Sequence, residues 1–216
     1  MAIKNKDFVE IEFTAKIKGG EIFDSNIEKD LKELGSKTKG KPFIFSLGQG
    51  MFLKGVEDYL IGKEIGKHKI ELTAENAFGP RDPKLIERIP MKVFKENDLM
   101  PVPGIAFNFD GKMGKVLAAS GGRVMVDFNN PIAGKDVVYE VNVLKKIDDK
   151  NEQVKAFIEF IFKKDLKFEI KDKKITIHAE KGMDKFIELF KDKFKEIFDL
   201  DLDVKTLDVT SPKKSQ

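Results

Sequence analysis

Within Phe8 to Ile17 apolar and polar residues alternate from Val9 on, Val9, Ile11, Phe13, Ala15 and Ile17 against Glu10, Glu12, Thr14 and Lys16. A period of two is the spacing of side chains along one side of a pleated strand, so this stretch predicts a strand with one buried face. Lys67 to Ala74 repeats the pattern, with His68, Ile70, Leu72 and Ala74 on one side. The matching strand comes only at Val137 to Val143, where Val137, Tyr139, Val141 and Val143 share a face. A sheet whose last strand arrives so late in the chain must hold an insertion.

The shorter signals fill in the rest. Gly19-Gly20 supplies a hairpin turn, with Glu21-Ile22-Phe23 as the start of the return strand. Asn26 to Lys41 reads as a loop or short helix, Pro42 to Gly48 as a strand, and Lys54 to Ile61 as a helix closed by Gly62. The intervening segment is punctuated by Pro83, Pro90, Pro101 and Pro103, then reads as strands over 105–109, 112–119 and 123–128. It predicts a small β domain of its own. After Asp148 the period changes to helical: Val154, Phe157, Ile158, Ile161 and Phe162 share a face, behind an Asp149/Glu152 capping box. A hairpin around Asp172-Lys173, a helix over Met183 to Phe198 and a strand over Leu202 to Val209 complete an α-β-β-α-β domain. The expected organisation is 1–84 with 130–148, an insert at 85–129, a C-terminal domain at 149–210 and a disordered tail at 211–216.

Several chemistries are excluded by residue content. There is no Cys, which removes disulfides, thiolate metal sites and cysteine nucleophiles together. The two His lie on different predicted strands and read as ordinary strand residues. Gly48-Gln49-Gly50 lacks the third glycine of a dinucleotide loop, and Gly50 to Gly55 is not followed by the Lys-Ser/Thr of a phosphate loop. Lys and Arg total 40 against 37 Asp and Glu, and residues 150–216 hold 16 Lys, no Arg and 14 acidic residues, so neither the chain nor its last domain carries the basic excess of a nucleic-acid binder. No apolar run approaches the roughly 20 residues that span a bilayer, and the first residues lack an apolar signal core. We expect a soluble cytoplasmic protein with no membrane or nucleic-acid partner.

The order of the aromatic residues carries a resemblance. Phe13-Thr14, then Gly20-Glu21-Ile22-Phe23-Asp24-Ser25, then Pro42 to Gly48 resembles the FKBP prolyl isomerases. Phe52-Leu53-Lys54-Gly55-Val56-Glu57 is similar to the start of that family's single helix, Asn76-Ala77-Phe78-Gly79 to its flap motif, and Asn130 to Lys135 with Val138 to Val141 to its closing loop and last strand. The interruption between Phe78 and Tyr139 resembles the SlyD-like branch, which carries a domain inserted in the flap, and the added C-terminal domain resembles the long archaeal type. The resemblance implies an α+β fold: an antiparallel β half-barrel with a short helix, an inserted small β domain and a C-terminal α+β domain.

It also implies prolyl cis/trans isomerisation without cofactor or metal. The pocket would be lined by Phe13, Phe23, Asp24, Phe43, Phe52, Leu53, Val56, Phe78, Ile132 and Tyr139, with Asp24 in an electrostatic or orienting role. Phe13 and Phe78 stand where many members have Tyr, and Val56 where others have a Trp floor. In the insert, Met91, Val93, Phe94, Leu99, Met100 and Phe107 are expected to contact unfolded, proline-containing polypeptides, although the small domain's own core must claim some of them. The aromatic stripe at 183–198 either packs on its own strands or pairs two chains into a homodimer through residues 150–210. A holdase or an interaction scaffold with little isomerase activity is the alternative reading.

Overall fold

The computed structural model describes residues 2–207. The end of the last expected strand and the expected tail lie outside them. Along the chain run β1 (Phe8–Ile17), β2 (Ile22–Ser25), α1 (Glu28–Glu33), β3 (Phe43–Ser46), α2 (Lys54–Leu60), β4 (Gly66–Leu72), β5 (Ile86–Pro90), α3 (Met91–Glu96), β6 (Ala106–Phe109), β7 (Lys112–Ser120), β8 (Arg123–Asp127), β9 (Val137–Ile147), α4 (Lys150–Phe162), β10 (Phe168–Lys171), β11 (Lys174–Glu180), α5 (Asp184–Glu188), α6 (Lys191–Phe198) and β12 (Asp201–Leu207). They form two compact units, one of residues up to 14, 24–70 and from 139 on, the other of 15–23 and 71–138.

In the first unit β1 is the organising strand. The sheet runs β2-β1-β9-β4, and β3 pairs antiparallel with β1, placing Phe8 opposite Ser46 and Ile11 opposite Phe43. Val9, Ile11 and Phe13 of β1, Tyr139, Val141 and Val143 of β9, and Val56 and Leu60 of α2 are buried, as the alternation predicts. The other side of β1 is not left to solvent. Thr14 is buried and its hydroxyl donates to the Asp30 carboxylate of α1. Phe8 is only 1% exposed. Its ring stacks on Phe198 of α6 at 5.6 Å, and Phe198 meets Phe157 of α4 edge-on at 5.5 Å. Residues after 149 therefore share a core with β1.

Asp149 caps α4, its carboxylate accepting from the Glu152 amide at 2.8 Å. Behind the helix, β10 and β11 pair antiparallel and β11 and β12 parallel. The single helix expected over 183–198 is two. Phe186 and Phe190 meet Phe162 edge-on, at 5.9 and 5.3 Å, whereas Phe194 meets Phe157 at 5.3 Å. The chain breaks at Leu189–Phe190, and α6 restarts with the Phe194 amide on the Phe190 carbonyl at 3.0 Å. That restart lets Phe194 and Phe198, four apart, both address Phe157.

The second unit holds a four-stranded sheet of order β5-β8-β7-β6 around Phe94, Val116, Val124 and Val126. Strand β5 and helix α3 were not expected because of the prolines. Pro90 is compatible with both: it ends an edge strand and precedes the first turn of a helix, two places where its missing N–H costs nothing. Where the chain enters and leaves this sheet it is tied to itself. The Phe128 amide donates to the Leu85 carbonyl at 2.9 Å, the Asn129 side chain both accepts from the Asp82 amide and donates to its carbonyl, and Arg81 pairs with Asp127 at 2.6 Å. Burial works against the Asp127 charge, but hydrogen bonds from Asn129 and Arg81 outweigh it and hold the carboxyl below its ordinary value. Among the described residues no helix is long and apolar enough to cross a membrane.

Deleting the ring that joins α6 to β1 tests the shared core. Phe198→Ala is expected to cost about 3–5 kcal/mol in urea unfolding, the usual loss for a buried Phe that leaves a cavity. A loss under about 1 kcal/mol would mean that the segment after 149 does not pack on β1.

Candidate active site

Four aromatic rings gather where β1, β3, β9 and the start of α2 converge. Phe13 and Phe52 meet edge-on at 4.9 Å, Tyr139 lies 5.8 Å from Phe52 and 6.1 Å from Phe13, and Phe43 lies 5.8 Å from Phe52. Phe45, fully buried, stacks under Phe43 at 5.5 Å. Val56 is fully buried on α2, and Leu53 is the residue before that helix's first turn.

The position of Phe52 is set by a carboxylate. Glu57 of α2 is only 2% exposed. Its Oε2 accepts from the Gly48 and Gly50 amides at 2.8 and 3.2 Å, and its Oε1 from the Phe52 amide at 2.7 Å. Both glycines have positive φ, +73° and +67°, which turns their N–H groups toward the same point, and a Cβ at Gly48 would fall 1.9 Å from Asn5 Oδ1. A buried charge satisfied by three amides fixes the loop that delivers Phe52.

A second polar set carries Asp24. The Asn26 side chain accepts from the Phe13 amide at 2.7 Å and donates to the Ile11 carbonyl at 2.9 Å, and so continues the strand pairing past β2. Ser25 Oγ lies 2.8 Å from the Phe13 carbonyl and 3.0 Å from the Asp30 carboxylate, with one proton to give either, and accepts from the Ile27 amide. Asp24 has an open side toward solvent, yet neighbouring protein strips enough of its hydration to push its carboxyl above the ordinary value, against a hydrogen bond from the Ser25 amide. Burial, and after it the negative charge of Asp24, push the Tyr139 hydroxyl well up, so it keeps its proton and is able to donate.

These residues border a cleft of about 780 Å³. One wall contains Phe13, Asp24, Phe43 and Phe52, and the other is α4, with Lys155, Ala156, Glu159 and Phe160. Tyr139 backs the first wall through its ring contacts. Phe23, Phe78 and Ile132 belong to the second unit, where Phe23 and Phe78 meet edge-on at 5.6 Å and Ile132 is half-buried.

The six residues expected to hold unfolded chains divide. Phe94 is 1% exposed and forms the core of its own sheet, with Met91 and Phe107 packed against it, which removes Phe94 from any binding surface. The apolar side of α3 covers the sheet, so the hydrophobic effect places Phe94 against Val116, Val124 and Val126. Val93, Leu99 and Met100 are exposed, Met100 by 77%, and Val102, Ile105 and Met113 join them. Sequence reading missed Glu57, Asn26, Asp30 and the place of α4 beside the cluster, though not the helix itself. Only Glu57 had a signal, as an acid shortly after two glycines able to aim their amides at one point.

Comparison with known proteins places the chain. The family model described as FKBP-type peptidyl-prolyl cis-trans isomerase matches residues 1–100, and that of the FKBP26 IF domain matches residues 87–132. The chain is 30% identical over 145 residues to a short-type peptidyl-prolyl cis-trans isomerase of Methanocaldococcus jannaschii, covering 65% of this chain and 92% of that protein. It is 27% identical over 149 residues to the FKBP-type 16 kDa peptidyl-prolyl cis-trans isomerase of Escherichia coli K12, covering 67% and 93%. With SlyD of the same strain the identity is 31% over 108 residues, covering 48% and 55%.

The Asp24 environment has a pH signature. The fold holds this carboxyl above its ordinary value of 3.8, so the charged form costs stability once pH rises through the raised value, and the cost is absent below 3.8. Asp24→Asn is expected to raise the melting temperature at neutral pH by about 1–2 °C and to change it little at about pH 3. A gain of equal size at both pH values would mean that loss of hydration is not its cause.

Proposed function

The chain belongs to the FKBP-type peptidyl-prolyl cis-trans isomerases, and from that premise we propose that the ring cluster of Phe13, Phe43, Phe52 and Tyr139, with Asp24 at its edge, is where it turns the prolyl bond. The observation that carries this reading is the pairing of a polar edge with an aromatic cleft wall: Asp24 and Phe13, Phe43 and Phe52 border one cleft, with the Tyr139 hydroxyl behind them under the influence of the Asp24 charge. Rotation about an Xaa-Pro bond must break amide resonance, a barrier of about 18–20 kcal/mol. The twisted amide has lost part of its charge separation, so an apolar pocket suits it better than the planar, more polar ground state. The rings hold the proline, Asp24 orients the dipole of the turning amide, and Tyr139, protonated at working pH, donates a hydrogen bond.

The sheet around Phe94 acts as a chaperone element that binds unfolded polypeptide. Support comes from its exposed Met100, Met113, Val93, Leu99, Val102 and Ile105, since adaptable apolar side chains open to solvent mark binding surfaces. A chain held there raises the local concentration of prolines for the cluster. Self-association through residues 150–210 belongs to the same reading, supported by Phe186 and Leu189, exposed by 48% and 76% at the α5–α6 break. The compartment in this reading is the cytoplasm.

Cis/trans exchange of a short Xaa-Pro peptide, followed by NMR, tests the site. Wild type is expected to accelerate it strongly, with Asp24→Ala and Tyr139→Phe each slower by about tenfold, near 1.4 kcal/mol. No acceleration by wild type would leave a holdase on an isomerase scaffold.

Excision tests the chaperone element. Leu85 and Phe128 are hydrogen-bonded to each other, so a short linker can replace the sheet between them. Removing residues 87–126 is expected to preserve peptide exchange while sharply reducing the refolding of a proline-limited protein. Equal losses in both assays would sink the division of labour.

A further inference from the structure

Helix α4 faces the aromatic cluster across the cleft and presents Lys155, Ala156, Glu159 and Phe160 to it. Both family-model matches end before residue 133, so this wall is outside what they describe. The wall is held in place. Phe157, on the same helix, meets Phe198, and Phe198 stacks on the buried Phe8 of β1, so α4 cannot swing away without exposing three rings. Lys41, on the segment leading into β3, reaches across to Glu159 at 3.4 Å.

Phe160 is half-buried, and its ring lies 6.4 Å from Phe43. The Lys163 ammonium sits over the Phe160 ring, 4.5 Å from its centre, which holds the ring's orientation. The rings therefore continue from Phe52 to Phe43 to Phe160 in steps of 5.8 and 6.4 Å. The charges bordering this part of the cleft are mixed, Glu10, Glu152 and Glu159 against Lys41, Lys155 and Lys163, so no net sign selects a ligand there. The apolar surface of Phe160 and Ala156 does.

We propose that α4, through Phe160, forms a flanking subsite that takes an apolar side chain of the substrate two to four residues from the proline. The spacing sets that range: an extended chain advances about 3.4 Å per residue, so a proline held over Phe52 brings such a residue to Phe160. The occupant is the substrate polypeptide itself, because the subsite is continuous with the cleft wall that holds the proline, and the proposal rests on the isomerase reading of that wall. Phe160 is then a specificity-determining residue contributed by the C-terminal segment.

The test uses the full chain and a set of Xaa-Pro peptides in which one leucine replaces serine at each position from four before to four after the proline. In wild type, one position two to four residues from the proline is expected to raise kcat/KM about tenfold over the all-serine peptide, mainly through KM. Phe160→Ala is expected to bring that leucine-to-serine ratio to about one, and Phe160→Leu, which keeps an apolar side chain, to restore most of it. An unchanged ratio in Phe160→Ala, or an equal drop for every peptide with the ratio preserved, would overturn the proposal. No turnover by wild type would overturn the isomerase reading instead. The same peptides measured by binding anisotropy would then decide the subsite, by whether the leucine preference in affinity survives Phe160→Ala.

Discussion

Strand β1 carries buried side chains on both faces, and the rest of the first unit is arranged around that fact. Its inward side chains, Val9, Ile11 and Phe13, are buried, and Phe13 joins the ring cluster through Phe52 and Tyr139. Its other face would present Phe8 and Thr14 to water. Phe8 is covered by Phe198, and Thr14 satisfies its hydroxyl on Asp30. That second face is mostly polar, Glu10, Glu12, Thr14 and Lys16, but its one large ring, Phe8, needs a layer of its own, and the helices after Asp149 supply it. The half-barrel and the C-terminal segment are joined by this shared interior, while the exposed ion pairs between them add little.

Around the cluster, precision comes from buried polar groups rather than from packing alone. Glu57 gathers three amides to hold the Phe52 loop, and Asn26, Ser25 and Asp30 do the same for the segment that carries Asp24. An unmade hydrogen bond in such a place costs about 1–3 kcal/mol, so each set has essentially one satisfactory arrangement. A reaction that needs only a shaped, partly dry pocket depends on such fixity, because there is no bond-forming group to tolerate looseness.

The two added elements are stabilised differently. The sheet around Phe94 has its own core and a neck tied by Asn129, Asp82, Arg81 and Asp127. Phe94 goes inside with Met91 against it, and Met100 and Met113 remain exposed. The C-terminal helices have no such independence, since Phe198 and Phe157 are part of the β1 interior. That dependence also makes α4 a fixed wall of the cleft.

What the sequence determined by itself is everything carried by short-range periodicity. The alternation at 8–17 and, as far as Leu72, that of 67–74, the helical spacing of Val154, Phe157, Ile158 and Phe162, the Asp149 cap and the turn at Asp172-Lys173 all appear where the pattern puts them. These features depend on backbone geometry within a few residues, so they can be read locally. The ring order Phe13, Phe43, Phe52 and Tyr139 was legible too, and four of the ten named pocket residues line one cleft. Other features were decided only by tertiary structure. Phe94 turns inward because α3 lays it on Val116, Val124 and Val126, and the 183–198 helix breaks because its rings must meet two different partners on α4. The helix α4 walls the cleft because Phe8 needs cover. In each case the deciding partner is remote in sequence, and burial free energy depends on which surfaces meet, not on the order in which they are written.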